Sequence, residues 1–454
     1  MTHPILYIHP DTDMMLREII PMSLPALINR LSEPVIGRFH DEWTEDEIRA
    51  ARIVLLDVHW DLSLRSAVRL SRQVKRINPG ATIIAGGLSA TLFAPQLLRD
   101  SPIDYVIRGD GEIPLLRLVD AVLHGKPADQ VPNVVSRAFT SPNWYALTSE
   151  DLSAGNFRDI SWFPSLEKGL AKVHRYSHGK VYPVHPFLMT YRGCPMGCED
   201  CYGGCQKQPW LFRRGWVLRA PEKVKEDLAA WSDDPDMRFV NVWHDFISVL
   251  EPSYAEEGLD RTYDLDVYFS FFRLPTGRGH QARPEGVPLN PDGTLAPDIS
   301  EFRLVTNRGV ELLTNAFRGG RILFSLDQYH NTTDKLPDIG KLIECIQQAM
   351  ATKRFEVWLG YLKRVALRSP EYAKALDVVV KETGCTPFRW DMCMKDGPWP
   401  NEDGLGKEED YQECLRNPRP FFFFNRLCRA AVQVNRYAPA IMPTLTKLHR
   451  RYLK

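Results

Sequence analysis

Phe187-Leu188-Met189-Thr190-Tyr191-Arg192-Gly193-Cys194-Pro195-Met196-Gly197-Cys198-Glu199-Asp200-Cys201-Tyr202-Gly203-Gly204-Cys205 is the stretch that decides how this chain reads. An apolar run with strand character leads straight into thiols spaced C-x3-C-x2-C, at Cys194, Cys198 and Cys201. Such closely spaced thiolates can hold three corners of an iron–sulfur cubane and leave the fourth iron without a protein ligand. An open iron is a Lewis-acidic site for a chelating substrate. Two other readings stand beside it, a zinc site and a closed cluster with Cys205 as fourth ligand. A structural zinc site usually pairs two C-x2-C knuckles far apart in sequence, and no second knuckle is present. A ferredoxin-like cluster calls for more cysteines nearby. In the open reading Cys205 is a spare thiol or a pocket residue.

The chain has 454 residues, which implies two or three domains. At 44% hydrophobic and 25% charged residues its composition is that of a globular protein. Lys plus Arg and Asp plus Glu number 57 each, so bulk charge points to neither nucleic acid nor an anionic membrane. No apolar run is long enough to span a bilayer, and the N-terminal residues lack the basic start and cleavage site of a signal peptide. A cytoplasmic location is expected. Nine cysteines, with four crowded between 194 and 205, argue for a metal rather than a disulfide framework in a chain this large. The run Phe421 to Phe424 reads first as the start of a buried helix, with contact to a membrane surface or a partner as the alternative.

Upstream, short apolar runs alternate with helical patterns. Strands are expected at 5–8, 35–36, 53–56, 82–85 and 105–107, with a helix over 63–77 among the intervening segments. This order implies a Rossmann-like parallel sheet covered by helices, over residues 1–140. Such sheets bind ligands at the carboxyl ends of their strands. Three ends look suited: Asp57-Val58-His59-Trp60, Gly86-Gly87-Leu88-Ser89, and Arg108-Gly109-Asp110-Gly111-Glu112. Paired glycines let a bulky ligand approach the backbone, although glycines also end strands for no other reason. Turn formers recur between 126 and 185, so 141–185 reads as an extended connector.

Downstream, strands are expected at 187–190, 239–243, 265–271, 321–326, 355–361 and 388–391. Six β/α units over 186–400 form a partial (β/α)6 barrel whose site lies at the carboxyl ends of the strands. Asp245, Ser325, Asp327, Gly360, Tyr361 and Arg389 fall at or near those ends. The Gly- and Pro-rich segment 274–300 is long enough to be a substrate-facing lid. Residues 401–454 read as a small C-terminal helical region.

These features resemble the radical S-adenosylmethionine superfamily, in the branch with an N-terminal cobalamin-binding domain. The resemblance is strongest at 82–117 and 186–206, and Arg192-Gly193-Cys194-Pro195 is typical of that branch. It implies a [4Fe-4S] cluster on Cys194, Cys198 and Cys201 and reductive cleavage of S-adenosylmethionine to a 5′-deoxyadenosyl radical. It also implies cobalamin contacts at Asp57, Gly86, Gly87, Ser89, Gly109, Gly111 and Glu112. Contacts to S-adenosylmethionine are implied at Tyr202, Asp245, Ser325, Asp327 and Gly360. The reaction implied first is methyl transfer from methylcobalamin to a carbon of a small or medium-sized substrate. A non-methylating cyclisation, ring contraction or rearrangement is the alternative, and a non-catalytic cobalamin-like sensor the third reading. A flavodoxin or ferredoxin is the implied electron donor. Two departures stand out. Asp200 occupies the place before the third cysteine where the superfamily has an aromatic residue. The Asp-x-His-x-x-Gly signature that gives other cobalamin proteins a cobalt ligand is absent: the first strand ends His9-Pro10-Asp11-Thr12-Asp13, and His59 reads as a polar pocket residue.

Overall fold

The computed structural model describes residues 3–12, 20–177, 186–193, 217–242, 245–247, 252–271, 305–326, 336, 338–389 and 405–416. Its strands are β1 (Ile5–His9), β2 (Val35–Phe39), β3 (Ile53–Asp57), β4 (Thr82–Gly86), β5 (Tyr105–Ile107), β6 (Val134–Ser136), β7 (Tyr191–Arg192), β8 (Val217–Leu218), β9 (Phe239–Val242), β10 (Asp266–Phe271), β11 (Gly319–Ser325), β12 (Phe355–Tyr361) and β13 (Thr386–Arg389).

The first sheet has the order β2-β1-β3-β4-β5-β6, parallel except for β6. Every residue of β1 and β3 is buried. Strands covered on both faces have no polar side to alternate with, which is why both sequences run nearly unbroken in apolar residues. The chain order reverses between β1 and β3, and doubly wound sheets bind ligands at such a switch point. The helix Leu64–Ile77, expected at 63–77, buries Leu64, Ala67, Val68, Leu70 and Val74 against this sheet.

The region read as an extended connector is corrected here. It holds two helices, Ser149–Ser153 and the 14-residue Pro164–Ser177. Trp162 and Phe163 at the entrance of the second pack on β2, where a Cβ on Gly37 would lie 2.7 Å from Phe163. The turn formers at 160–164 obscured a helix whose anchor is tertiary, as tertiary contact overrides local propensity.

The second sheet runs β13-β12-β11-β10-β9, all parallel. The Leu188 amide donates to Asn241 and the Asn241 amide to Pro186, both at 2.9 Å, and Phe187 bridges Asn241 in parallel sense. Residues 186–188 therefore add a sixth position beside β9, and the positions follow chain order as a partial barrel requires. Its core is aromatic: Phe246 packs on Phe269, Phe269 on Phe271, and Phe271 stacks on Phe324 with centroids 5.2 Å apart.

After the second sheet the chain returns to the first. Gly406 bonds Leu92 and Gln96, and Tyr411 of the helix Glu408–Arg416 is fully buried beside Phe93. The described part of the C-terminal helical region thus covers the first sheet's helices. The lid segment 274–300 and the Phe421–Phe424 run lie outside the described residues.

Candidate functional site

Parallel pairing sets three strand ends in one row. β1 ends at His9, β3 at Asp57 and β4 at Gly86, with Asp57 in register with Gly86. The His9 Nδ1 lies 2.9 Å from Asp57 Oδ1, and the Tyr7 hydroxyl donates to the same carboxylate at 2.7 Å. Burial, then the charge of Asp57, pushes the Tyr7 phenol well above its ordinary pKa, so it stays a donor. Asp57, expected to contact a cofactor, bonds these two side chains.

The two glycines differ. Among the described residues a Cβ on Gly86 would meet nothing within 4 Å, so this strand end opens on free volume. Gly87 has φ +111° and a Cβ there would sit 2.8 Å from the backbone of Val58 and His59. Only glycine fits that second place. Ser89 is buried, its hydroxyl 3.3 Å from the His59 carbonyl. Thr91, which sequence reading passed over, donates to Gly87 O and accepts the Gly109 amide, each at 2.9 Å. One hydroxyl thereby joins both glycine turns. Gly109 has φ +77°, whereas Gly111 has ordinary contacts to Leu27.

Glu112 and Asp110 are buried, and both face Arg192. Arg192 Nη1 donates to Glu112 Oε1, while Nη2 lies 3.6 Å from Asp110 Oδ1. Burial alone would lower the guanidinium's pKa, but the two carboxylates outweigh it and hold the cation. Asp110 also accepts the Leu147 amide at 3.0 Å. Arg192 stands two residues before Cys194, so the carboxyl edge of the first sheet is tied to the entrance of the cysteine loop. A local motif cannot show this partnership, because the residues are 80 apart.

β7 and β8 pair antiparallel, so the chain enters and leaves the cysteine segment side by side. The strand before it is clamped. The Thr190 carbonyl accepts the Arg219 amide at 2.9 Å, and the Tyr254 hydroxyl lies 2.8 Å from it. Arg219 itself bonds Met189 O and Asp227 and lies 4.7 Å over the Phe157 ring. On the second sheet, Ser325 ends β11 opposite Gly360, and the Leu326 amide donates to Gly360 O at 2.8 Å. Asp245 is fully buried after β9, and Tyr361 ends β12. Cys194, Cys198, Cys201, Cys205, Tyr202 and Asp327 lie outside the described residues, as does the side chain of Arg389.

Residues 39–119 match the B12 binding domain family. The chain is 24% identical over 251 residues to the anaerobic magnesium-protoporphyrin IX monomethyl ester cyclase of Rubrivivax gelatinosus, covering 52% of this chain and 44% of that one. It is 24% identical over 234 residues to the hopanoid C-3 methylase of Methylococcus capsulatus, covering 50% and 41%. The match thus spans less than half the length of these relatives. Among solved structures, the cobalamin-dependent S-adenosylmethionine radical enzyme OxsB with aqua-cobalamin and S-adenosylmethionine bound aligns with a TM-score of 0.55 at 13% identity, over 91% of this chain and 55% of that one. A doubly wound sheet that carries the B12-binding match, followed by a parallel half-barrel, is the fold this chain shares with that enzyme.

Proposed function

We propose that this chain holds cobalamin at the carboxyl edge of the first sheet and a [4Fe-4S] cluster on Cys194, Cys198 and Cys201, and methylates a carbon centre of a small or medium-sized substrate. The observation that carries this reading is the buried contact of Arg192 with Glu112 and Asp110, which ties the B12-binding sheet edge to the cysteine loop. When bound, the cluster would supply one-electron cleavage of S-adenosylmethionine, and the cobalamin a methyl group.

The chain's own residues set the stage for that chemistry. The space over Gly86 and the tight turn at Gly87 fit the approach of a bulky cofactor to the backbone. The Arg219 and Tyr254 clamp holds the strand that delivers the thiols, and catalytic groups work best on rigid elements. Ser325, Asp245 and Gly360 stand at the edge where S-adenosylmethionine would lie, and Gly360 brings no side chain to it. The buried aromatic core of the second sheet packs below them. Tyr202 and Asp327 belong to the same proposed set. A flavodoxin- or ferredoxin-like donor and a cytoplasmic location complete the reading. Among the described residues no helix is long and apolar enough to cross a membrane.

The cyclase relative favours a second reading, in which the same two cofactors serve a non-methylating rearrangement. Anaerobic reconstitution with iron, sulfide and hydroxocobalamin tests the cofactor set. We expect about four irons and one cobalamin per chain. Zinc in place of iron overturns the reading. Product mass then separates the reactions, since methylation adds one methylene unit.

A further inference from the structure

We propose that His9 is the protein's nitrogen ligand to the cobalt of the bound cobalamin, oriented by Asp57. The proposal rests on the reading that the first sheet holds cobalamin. His9 is 2% exposed and ends β1 at the switch point. Its Nδ1 faces the Asp57 carboxylate at 2.9 and 3.1 Å, so this nitrogen carries the proton of the neutral ring. Nε2 then presents a lone pair, and it is buried with no hydrogen-bond partner among the described residues. Leaving a buried polar atom unsatisfied costs about 1–3 kcal/mol, and such an atom in a folded chain calls for a missing partner.

The surroundings narrow that partner. Phe39 and Trp60 present their rings nearly perpendicular to the imidazole, at 5.9 and 6.4 Å. Neither offers Nε2 a hydrogen bond. A carboxylate that fixes one imidazole nitrogen while the other stays free is the arrangement found behind metal-bound histidines, where it sets the tautomer and raises ligand basicity. Tyr7 donates to the same carboxylate and keeps it oriented. The row His9, Asp57, Gly86 places this nitrogen two strands from the glycine whose Cβ position is open. The family match begins at residue 39, so His9 lies outside it. The protein would thus provide a cobalt ligand without the Asp-x-His-x-x-Gly signature, using a histidine and an aspartate from different strands.

Electron paramagnetic resonance of the full chain loaded with hydroxocobalamin and reduced to the cobalt(II) state tests this. One coordinated nitrogen-14 splits each cobalt line into a triplet, and nitrogen-15 splits it into a doublet. Chain labelled with nitrogen-15 histidine should give doublets. Triplets that persist in the labelled chain mean the cofactor's own base is bound and overturn the proposal, as does the absence of any nitrogen splitting. Labelled His9→Gln should retain cobalamin but lose the doublet, whereas His59→Gln should keep it. A doublet that survives in His9→Gln overturns the assignment. Asp57→Asn should keep the doublet and lower cobalamin affinity on the order of 10- to 100-fold. The wild-type labelling needs no variant to fold. Failure to retain cobalamin by ultrafiltration would overturn the underlying reading and this inference together, and that outcome differs from retention without splitting.

Discussion

The carboxyl edges of the two sheets are built on opposite plans. On the first, polar side chains from separate strands bind one another: His9 and Tyr7 with Asp57, and Arg192 with Glu112 and Asp110. On the second, the described ends carry three buried polar residues, Ser270, Ser325 and Asp245, above a stack of phenylalanines. The first edge is shaped before any ligand arrives. The second is joined through residues 186–188 to the strand that leads into the cysteine segment, and contributes a packed base. The lesson is that the first edge is preorganised by charge, while the second is preorganised by packing.

The difference can be broken at its junction. Cys198→Ala should abolish iron binding and 5′-deoxyadenosine formation while leaving cobalamin retention intact; metal content beside bound-cobalamin absorbance checks both. Loss of both cofactors would mean that the two edges do not assemble independently. Arg192→Met leaves two buried carboxylates without their cation and should destabilise the chain by about 3–5 kcal/mol. Adding Glu112→Gln should recover part of that loss, measured as the midpoint shift in urea unfolding.

The glycine pair sharpens the comparison on the first edge. Gly87→Ala forces a side chain into left-handed backbone against Val58 and His59, at a cost of about 1–3 kcal/mol or more. Gly86→Ala meets nothing and should change stability by less than about 0.5 kcal/mol, yet weaken cobalamin binding by filling the cofactor's space. Equal effects at both positions would refute the pocket. The smallest effect belongs to the packed side: burial pushes the Cys345 thiol up to about 12 and raises Cys385 as well. Both should resist alkylation at pH 8 in the folded chain, read by peptide mass, because the thiolate is the nucleophile.

Much of the architecture was legible in the sequence because its signals are local. The apolar runs at 5–8, 53–56 and 82–85 needed both faces covered, and each became a strand of one parallel sheet. Five of the six barrel strands formed within a few residues of their expected places, and the sixth, at 186–188, is held by a single bridge. The helix Pro164–Ser177 was hidden because its stability comes from Trp162 and Phe163 lodging on β2, and no local pattern records that contact. Asp57 and Glu112 were picked out as residues at strand ends, but their partners were not.

The sequence by itself determined the alternation of strands and helices, the C-x3-C-x2-C loop and the glycines at strand ends. Each of these is set within a few residues by side-chain period, thiol spacing or the need for positive φ. Tertiary structure alone decided that His9 meets Asp57, 48 residues away, that Arg192 meets Glu112, 80 away, and that Gln96 meets Gly406, 310 away. Parallel strands with crossover helices bring ends distant in sequence into one row, and a buried charge takes whichever partner that row supplies.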